Sequence, residues 1–209
     1  IDGIKDKKSG EYWALRLAMA DAYYARNMLP ECRKIYNEFF ATVQNPGPDL
    51  IDFYVNSGYR WAQMCVYERH FDEAAKMFDG LLARPLEDDT WCVLASEQVE
   101  LLLRLASEAS DPKQAKKRAE YLKRAEDYVC KLLWKRDSLP LFFGKAVAFE
   151  AHIAMLNGNL EKAQALVNEN MEDLAKIHQA ILQQDPEGRE GIIKASPMPE
   201  CRYLLASIL

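Results

Sequence analysis

Residues 17–40 read LAMADAYYARNMLPECRKIYNEFF, two apolar segments separated by a short break before a proline. Extended back to residue 10, the first segment repeats its apolar residues every three or four positions, which predicts a helix over residues 10–27. Its apolar face comprises Trp13, Leu17, Met19, Ala20, Tyr23 and Tyr24. Pro30 and Glu31 suit the first turn of a second helix, because proline lacks an N–H and the helix dipole favours an acid there. The second apolar face comprises Cys32, Ile35, Tyr36, Phe39 and Phe40.

The same antiparallel pairing recurs twice along the chain. Residues 58–85 read GYRWAQMCVYERHFDEAAKMFDGLLARP, where we expect Trp61, Ala62, Cys65 and Val66 to face inward. Residues 148–171 read AFEAHIAMLNGNLEKAQALVNENM, with a turn at Asn157-Gly158-Asn159. Both stretches therefore predict two helices joined by a short turn.

A looser copy lies between these two stretches. It comprises a helix over residues 90–109, a restart with Ser110 or Asp111 as N-cap and Pro112 just inside, and a helix over residues 115–134. One small residue stands at a corresponding position of each second helix, and the spacings are 42, 45 and 44 residues for Cys32, Ala74, Ala119 and Ala163. Regular spacing of this kind is typical of a solenoid, in which stacked repeats complete one another's core.

The chain organisation follows from these patterns. We predict an all-α fold of about four antiparallel helix pairs, at about residues 10–44, 48–84, 88–136 and 138–184, within one repeat domain over residues 1–184. Residues 185–199, rich in glycine, proline and charge, are predicted to form a loop. Residues 200–209 are predicted to form a terminal or capping helix. Because the chain starts at Ile1 and ends inside an apolar segment, we expect it to be part of a longer protein.

Residues 17–40, 60–78 and 148–167 each resemble a tetratricopeptide repeat (TPR). Each has a small residue in its first helix, a short turn, and a polar pair before a small residue in its second helix. These small residues are Ala20, Ala62 and Ala151 in the first helices, and Cys32, Ala74 and Ala163 in the second helices. The resemblance implies a right-handed α-solenoid whose first helices line a concave face. The long repeat spacing leaves a HEAT-like or irregular α-solenoid as the structural alternative.

Composition points to a globular protein in a reducing compartment. The 209 residues are 49% hydrophobic and 28% charged, and the formal net charge of −5 provides no general attraction to nucleic acid or anionic lipid. The five cysteines, Cys32, Cys65, Cys92, Cys130 and Cys201, form no CxxC pair. No apolar run is long enough to span a membrane. We therefore expect an intracellular protein, cytoplasmic or nuclear, that does not associate with membranes.

The sequence contains no recognisable catalytic or cofactor motif. Its three histidines, His70, His152 and His178, belong to no HExxH motif and to no cluster with metal-ligand spacing. The glycines form no phosphate-binding loop, and the cysteines lie at helical core positions where they act as small hydrophobic residues. We therefore expect no catalytic residue, no metal and no cofactor.

The expected function is a noncatalytic scaffold or adaptor that binds a peptide or helix of another protein within a larger complex. By resemblance to TPR proteins, the concave face would present a set of polar and aromatic side chains. These are Tyr24, Asn56, Tyr59, Arg60, Gln63, Tyr67, Lys145, Phe149 and His152. Other subunits are possible partners at the ends of the array.

The alternative function is nucleic-acid association or anion binding through the basic helix over residues 113–136. Its candidate residues are Lys116, Lys117, Lys123 and Arg124. Because acidic residues alternate with them at helical spacing, a solvated outer face with ion pairs explains the same pattern. Tyr121 and Tyr128 share a face with apolar residues and are expected in the core rather than stacked on bases.

Overall fold

The structure is a computed structural model that describes residues 9–184 and 195–208. All regular secondary structure in these residues is helical, in ten α-helices and one short 3₁₀ helix. The chain divides into two compact units, residues 1–84 and 85–209. The loop predicted over residues 185–199 lies mostly outside the described residues, and no structure is assigned to residues 185–194.

The first unit consists of two helix pairs. Its helices are α1 (Gly10–Ala25), α2 (Leu29–Thr42), α3 (Pro48–Tyr67) and α4 (Phe71–Leu82). Helix α1 packs on α2 and α3 packs on α4, while α3 also contacts α1 and α2. Pro30 and Glu31 lie in the first turn of α2, as the sequence predicts.

Aromatic rings fill the core of the first unit. The rings of Trp13 and Phe39 lie 5.1 Å apart, centroid to centroid, and Tyr54 lies 5.9 Å from Phe39. Around them the buried residues are Leu17, Ala20, Cys32, Ile35, Tyr36 and Met64. Met19 and Tyr24 of the predicted apolar face are instead exposed: Met19 lies on the side of α1 opposite the buried Trp13, Leu17 and Ala20, and Tyr24 lies near the end of α1, where its exposure agrees with its prediction as a partner residue.

In the second unit, the other helices pack around α7. Its helices are α5 (Asp88–Glu108), α6 (Ala115–Leu133), α7 (Pro140–Leu156), α8 (Leu160–Glu169), α9 (Met171–Gln184) and α10 (Met198–Ile208). A 3₁₀ turn over Pro112–Gln114 precedes α6, and the Asp111 side chain caps it by accepting a hydrogen bond from the Lys113 N–H at 2.9 Å. Helix α7 contacts α5, α6, α8, α9 and α10.

Three helix connections share one backbone conformation. Asn27, Arg69 and Gly158 lie at equivalent positions before α2, α4 and α8, with φ of 56°, 64° and 76°. After each of them, an N–H donates to the carbonyl five residues earlier, as in a Schellman motif. These bonds join Met28 to Tyr23 at 2.9 Å, His70 to Cys65 at 2.7 Å and Asn159 to Ala154 at 2.9 Å. Five residues after each positive-φ residue comes a fully buried small residue: Cys32, Ala74 or Ala163.

The connection between α5 and α6 does not follow this pattern. Ala119, predicted to be the equivalent small residue, is exposed, and Tyr121, Leu122 and Ala125 are buried in its place. A 3₁₀ turn precedes α6 in place of the positive-φ residue of the other three connections. The third copy is therefore out of register with the others.

Two helix boundaries also differ from the sequence prediction. The region predicted as one pair over residues 138–184 contains three helices, because α8 stops at Asn170, whose side-chain amide donates to the Leu166 carbonyl at 2.8 Å. Helix α10 starts at Met198, where the Ser196 hydroxyl accepts from the Met198 N–H at 3.3 Å. Residues 198 and 199 are therefore helical rather than part of the predicted loop.

Candidate partner-binding surface

The predicted partner residues of α3 lie along one side of that helix. Asn56, Arg60, Gln63 and Tyr67 are spaced by four, three and four positions, which places them on one face. Asn56 and Tyr67 are exposed, whereas Arg60 and Gln63 are half-buried. Tyr59 lies beside this row with its ring centroid 6.3 Å from that of Phe78 in α4. Tyr59 therefore contributes to packing between α3 and α4.

A hollow of about 250 Å³ lies at the end of this row. It is lined by Tyr24, Asn27, Leu29, Met64 and Tyr67. Tyr24 is 39% exposed and Tyr67 is 74% exposed, so both rings are open to solvent. The hollow therefore combines two accessible aromatic rings with the apolar side chains of Leu29 and Met64 and the polar Asn27, which suits one large side chain of a partner.

The turn between α1 and α2 shapes this hollow. Helix α1 ends at Ala25, and the left-handed conformation of Asn27 returns the chain so that Leu29 starts α2. Asparagine adopts that conformation at lower cost than most residues. Met64, which is 1% exposed, supplies the buried side of the hollow, and its Sδ lies 3.6 Å from the Cys32 Sγ.

Arg60 is neutralised by a carboxylate within the first unit. Its guanidinium forms an ion pair with Asp21 of α1, and this contact raises the pKa of Arg60. The Tyr36 hydroxyl donates to the same carboxylate at 3.4 Å, and burial raises the pKa of Tyr36. Arg60 therefore ties α3 to α1 and adds little net positive charge to the surface.

The predicted partner residues of the second unit are less accessible. The Lys145 Nζ lies 4.0 Å from a Glu100 oxygen of α5, and the His152 Nδ1 lies 4.0 Å from a Glu200 oxygen of α10. Both side chains are half-buried, and burial lowers the pKa of His152. Phe149 is only 2% exposed and belongs to the core, contrary to the prediction.

The composition of α7 explains why Phe149 is buried. Helix α7 is apolar on nearly every side, and a helix of that kind requires neighbours all around it. At Gly144 a Cβ would lie 2.8 Å from the Pro197 Cγ and 2.9 Å from the Ile177 Cδ1. Pro197, just before α10, and Ile177 of α9 thus close over α7 at Gly144.

The basic residues of α6 are mixed with acidic ones. Lys116, Lys117 and Lys123 are exposed, and Arg124 is half-buried. The Lys117 Nζ lies 5.4 Å from the ring centroid of Tyr121, which is buried as predicted. The exposed acids of this helix are Glu120, Glu126 and Asp127. The helix surface therefore carries both signs of charge.

The reactive side chains of the described residues lie apart from one another. No group of three His, Cys, Asp or Glu residues within residues 9–184 and 195–208 could hold a metal ion. Four cysteines are buried and Cys130 is exposed. Burial raises the pKa of Cys65 to about 11 and that of Cys201 to about 12, which disfavours their thiolates.

The chain matches no protein-family model, no curated protein and no solved structure. Helices packed in adjacent pairs are compatible with a helical repeat, and the likeness to TPR proteins rests on the sequence resemblance alone. Within the described part of the chain, no helix has the length and apolarity needed to cross a bilayer.

Three residues of the hollow were missed by the sequence reasoning. Asn27, Leu29 and Met64 border it, but the sequence pattern predicts none of these three as a partner residue. The turn before Pro30 could have indicated Asn27 and Leu29, because residues that flank a turn between two helices lie near the ends of both helices. Met64 gave no such signal, since a buried methionine is usually a core residue.

Proposed function

We propose that the protein is a noncatalytic interaction module whose first unit binds a peptide or helix of another protein. The observation that supports this function is the hollow between Tyr24 and Tyr67, next to the row of α3 side chains. A partner segment would place one apolar or aromatic side chain in the hollow. Its backbone and polar groups would follow Gln63 and Asn56 along α3. The proposed binding requires no cofactor.

Substitutions can be chosen that remove these rings from the binding surface without disturbing the fold. Tyr59 and Arg60 are poor test positions, because Tyr59 packs on Phe78 and Arg60 pairs with Asp21. Tyr24 and Tyr67 are exposed, so their replacement by alanine should leave the fold intact. Tyr203 of α10 is 70% exposed and provides a matched control for the loss of an exposed ring.

The test is a selection from a random peptide library displayed on phage. Peptides are selected on the wild type alone, and the affinity of each enriched peptide for the wild type, Tyr24→Ala/Tyr67→Ala and Tyr203→Ala is measured by fluorescence polarisation. Losing contacts worth about 2 kcal/mol should weaken binding about thirtyfold in the double variant and leave Tyr203→Ala unchanged. Equal binding by all three proteins, or no enriched peptide, would exclude this surface.

Anion binding by α6 is the competing function. It is less well supported because exposed acids alternate with Lys116, Lys117 and Lys123. Single-stranded and double-stranded oligonucleotides at low and moderate salt provide the direct comparison. Binding that falls steeply with salt and is lost in Lys116→Glu/Lys123→Glu would favour α6 over the hollow.

A further inference from the structure

The outer side of α1 is an exposed apolar face. Leu15 is 45% exposed and Met19 is 37% exposed, and both are large side chains open to solvent. Ala18, Ala22 and Ala25 are exposed beside them. These five residues lie at helical spacing on the side opposite Trp13, Leu17 and Ala20, which face the core. The face is therefore separate from the hollow at Tyr24.

A comparison with α7 indicates that α1 lacks a neighbour. Both helices are apolar around most of their circumference, and in α1 only Glu11, Arg16 and Asp21 are charged. Five helices surround α7, whereas α1 packs on α2 and α3. A helix that is apolar all round is normally buried on all sides. The outer face of α1 thus has the composition of a packed surface.

We propose that this face binds a second copy of the chain through antiparallel pairing of the two α1 helices. The order of residue sizes along the face supports this occupant. In an antiparallel pair with its two-fold axis between residues 18 and 19, Leu15 would lie opposite the partner's Ala22. Met19 would lie opposite the partner's Ala18. Each large side chain then faces a small one, and the symmetry repeats both contacts.

Charge at the ends of the face favours the same orientation. Glu11 and Arg26 are exposed at opposite ends of α1, in line with the apolar residues. Antiparallel pairing places each Glu11 near the partner's Arg26. Parallel pairing would instead set like charges and equal-sized side chains against each other, which disfavours it. The face is thus complementary to itself in one orientation.

The small area of the face limits the expected affinity of the dimer. A stable interface buries about 1,600 Å², and one pair of four-turn helices provides only part of that area. The dimer should therefore dissociate at concentrations on the order of 10 to 100 µM. It should form independently of peptide binding at the hollow, because the two surfaces lie on different sides of α1.

Sedimentation equilibrium from about 5 to about 500 µM tests this dimer. The average mass should rise from one chain towards two. Ala18→Glu places two carboxylates beside the axis and should raise the dissociation constant at least tenfold, while retaining a good helix former. Ala175→Glu, at an exposed position of α9, is the matched control and should dimerise like the wild type. A monomer at every concentration, or a dimer insensitive to Ala18→Glu, would refute the proposal.

Charge exchange tests the orientation. Glu11→Arg and Arg26→Glu should each weaken the dimer at low salt, and the double variant should recover wild-type affinity because each new arginine meets a new glutamate. Circular dichroism melting checks that each variant keeps its helices. If the double variant is weaker than both single variants, the antiparallel pairing is wrong. Glu11 lies at the end of α1 far from the hollow, so peptide binding should remain unchanged in Glu11→Arg, which separates this test from the proposed function.

Discussion

Helices α3 and α4 meet at Gly58 and Leu81, and this contact leads to a quantitative prediction. A Cβ on Gly58 would lie 2.9 Å from one δ-carbon of Leu81 and 3.1 Å from the other. Leu81 is fully buried and has little room to move. Overpacking costs about 1 to 3 kcal/mol, and alanine regains about 0.5 to 1 kcal/mol of helix propensity. Gly58→Ala should therefore destabilise the first unit by about 1 kcal/mol.

Gly80 provides the matched control within the same unit. It is also helical, but no atom lies within 4 Å of the position that its Cβ would occupy. Gly80→Ala should therefore stabilise the unit by about 0.5 kcal/mol through helix propensity alone. Denaturant-dependent hydrogen exchange, measured on peptides from α3 and α4, reports the free energy of unfolding of this unit specifically.

A double-mutant cycle isolates the steric cause. Leu81→Ala removes the three Leu81 atoms nearest to the Gly58 site, and alone it should cost about 2 to 5 kcal/mol. In that background Gly58→Ala should become stabilising by about 1 kcal/mol, because the clash is gone. The coupling energy should then be about 2 kcal/mol. If Gly58→Ala has the same effect in both backgrounds, the close approach of α3 and α4 is not what selects glycine.

Three further predictions concern a turn, the cysteines and a histidine. Gly158→Ala should destabilise the second unit by about 1 to 2 kcal/mol in urea unfolding, because φ there is 76°, and Gly158→Asn should lose less. In native protein, iodoacetamide should modify Cys130 far faster than Cys201, as read by peptide mass spectrometry, because Cys201 is buried and its pKa is raised to about 12. Burial lowers the pKa of His152, so below a pH of about 6.5 the unfolded chain binds a proton that the folded chain does not, and the wild type should lose stability as pH falls through that value. His152→Gln lacks this proton, so its denaturant midpoint should fall less than that of the wild type between neutral and acidic pH.

The helix pattern of the first unit could be read from local sequence. Pro30 and Glu31 begin α2, and the turns at Asn27 and Arg69 follow apolar periodicity that ends a few residues earlier. Such signals are local, so neighbouring residues suffice to read them. The same reasoning places Cys32 and Ala74 in the core, where both are fully buried.

The environment of α7 could not be read in the same way. Its apolar residues indicate burial, but the pattern does not specify which helices supply it. Pro197 and α10 contact α7 from a distant part of the sequence, and the predicted surface residue Phe149 is a core residue. Ala119 is likewise exposed although its spacing predicts a buried position, and a 3₁₀ turn precedes its helix. Both outcomes depend on tertiary packing.

Some residues of the candidate surface could likewise be predicted from local sequence, and others could not. Tyr24 and Tyr67 could be proposed because aromatic residues are typical of interfaces, although Tyr24 also belongs to the apolar stripe predicted for the first helix. The ion pair between Arg60 and Asp21 could not be foreseen, since it joins side chains from two helices whose relative position was unknown. Met64 borders the hollow for the same tertiary reason.

The contact between Gly144 and Pro197 has a consequence for folding kinetics. The α7–α8 hairpin closes through a short turn, so its contacts join residues near in sequence and can form early. Pro197 is far from Gly144 in sequence, so closing this contact in an early transition state would cost more chain entropy than closing the hairpin. Weakening it should accelerate unfolding of the second unit more than it slows refolding, whereas changes at Gly158 should act mainly on the refolding rate.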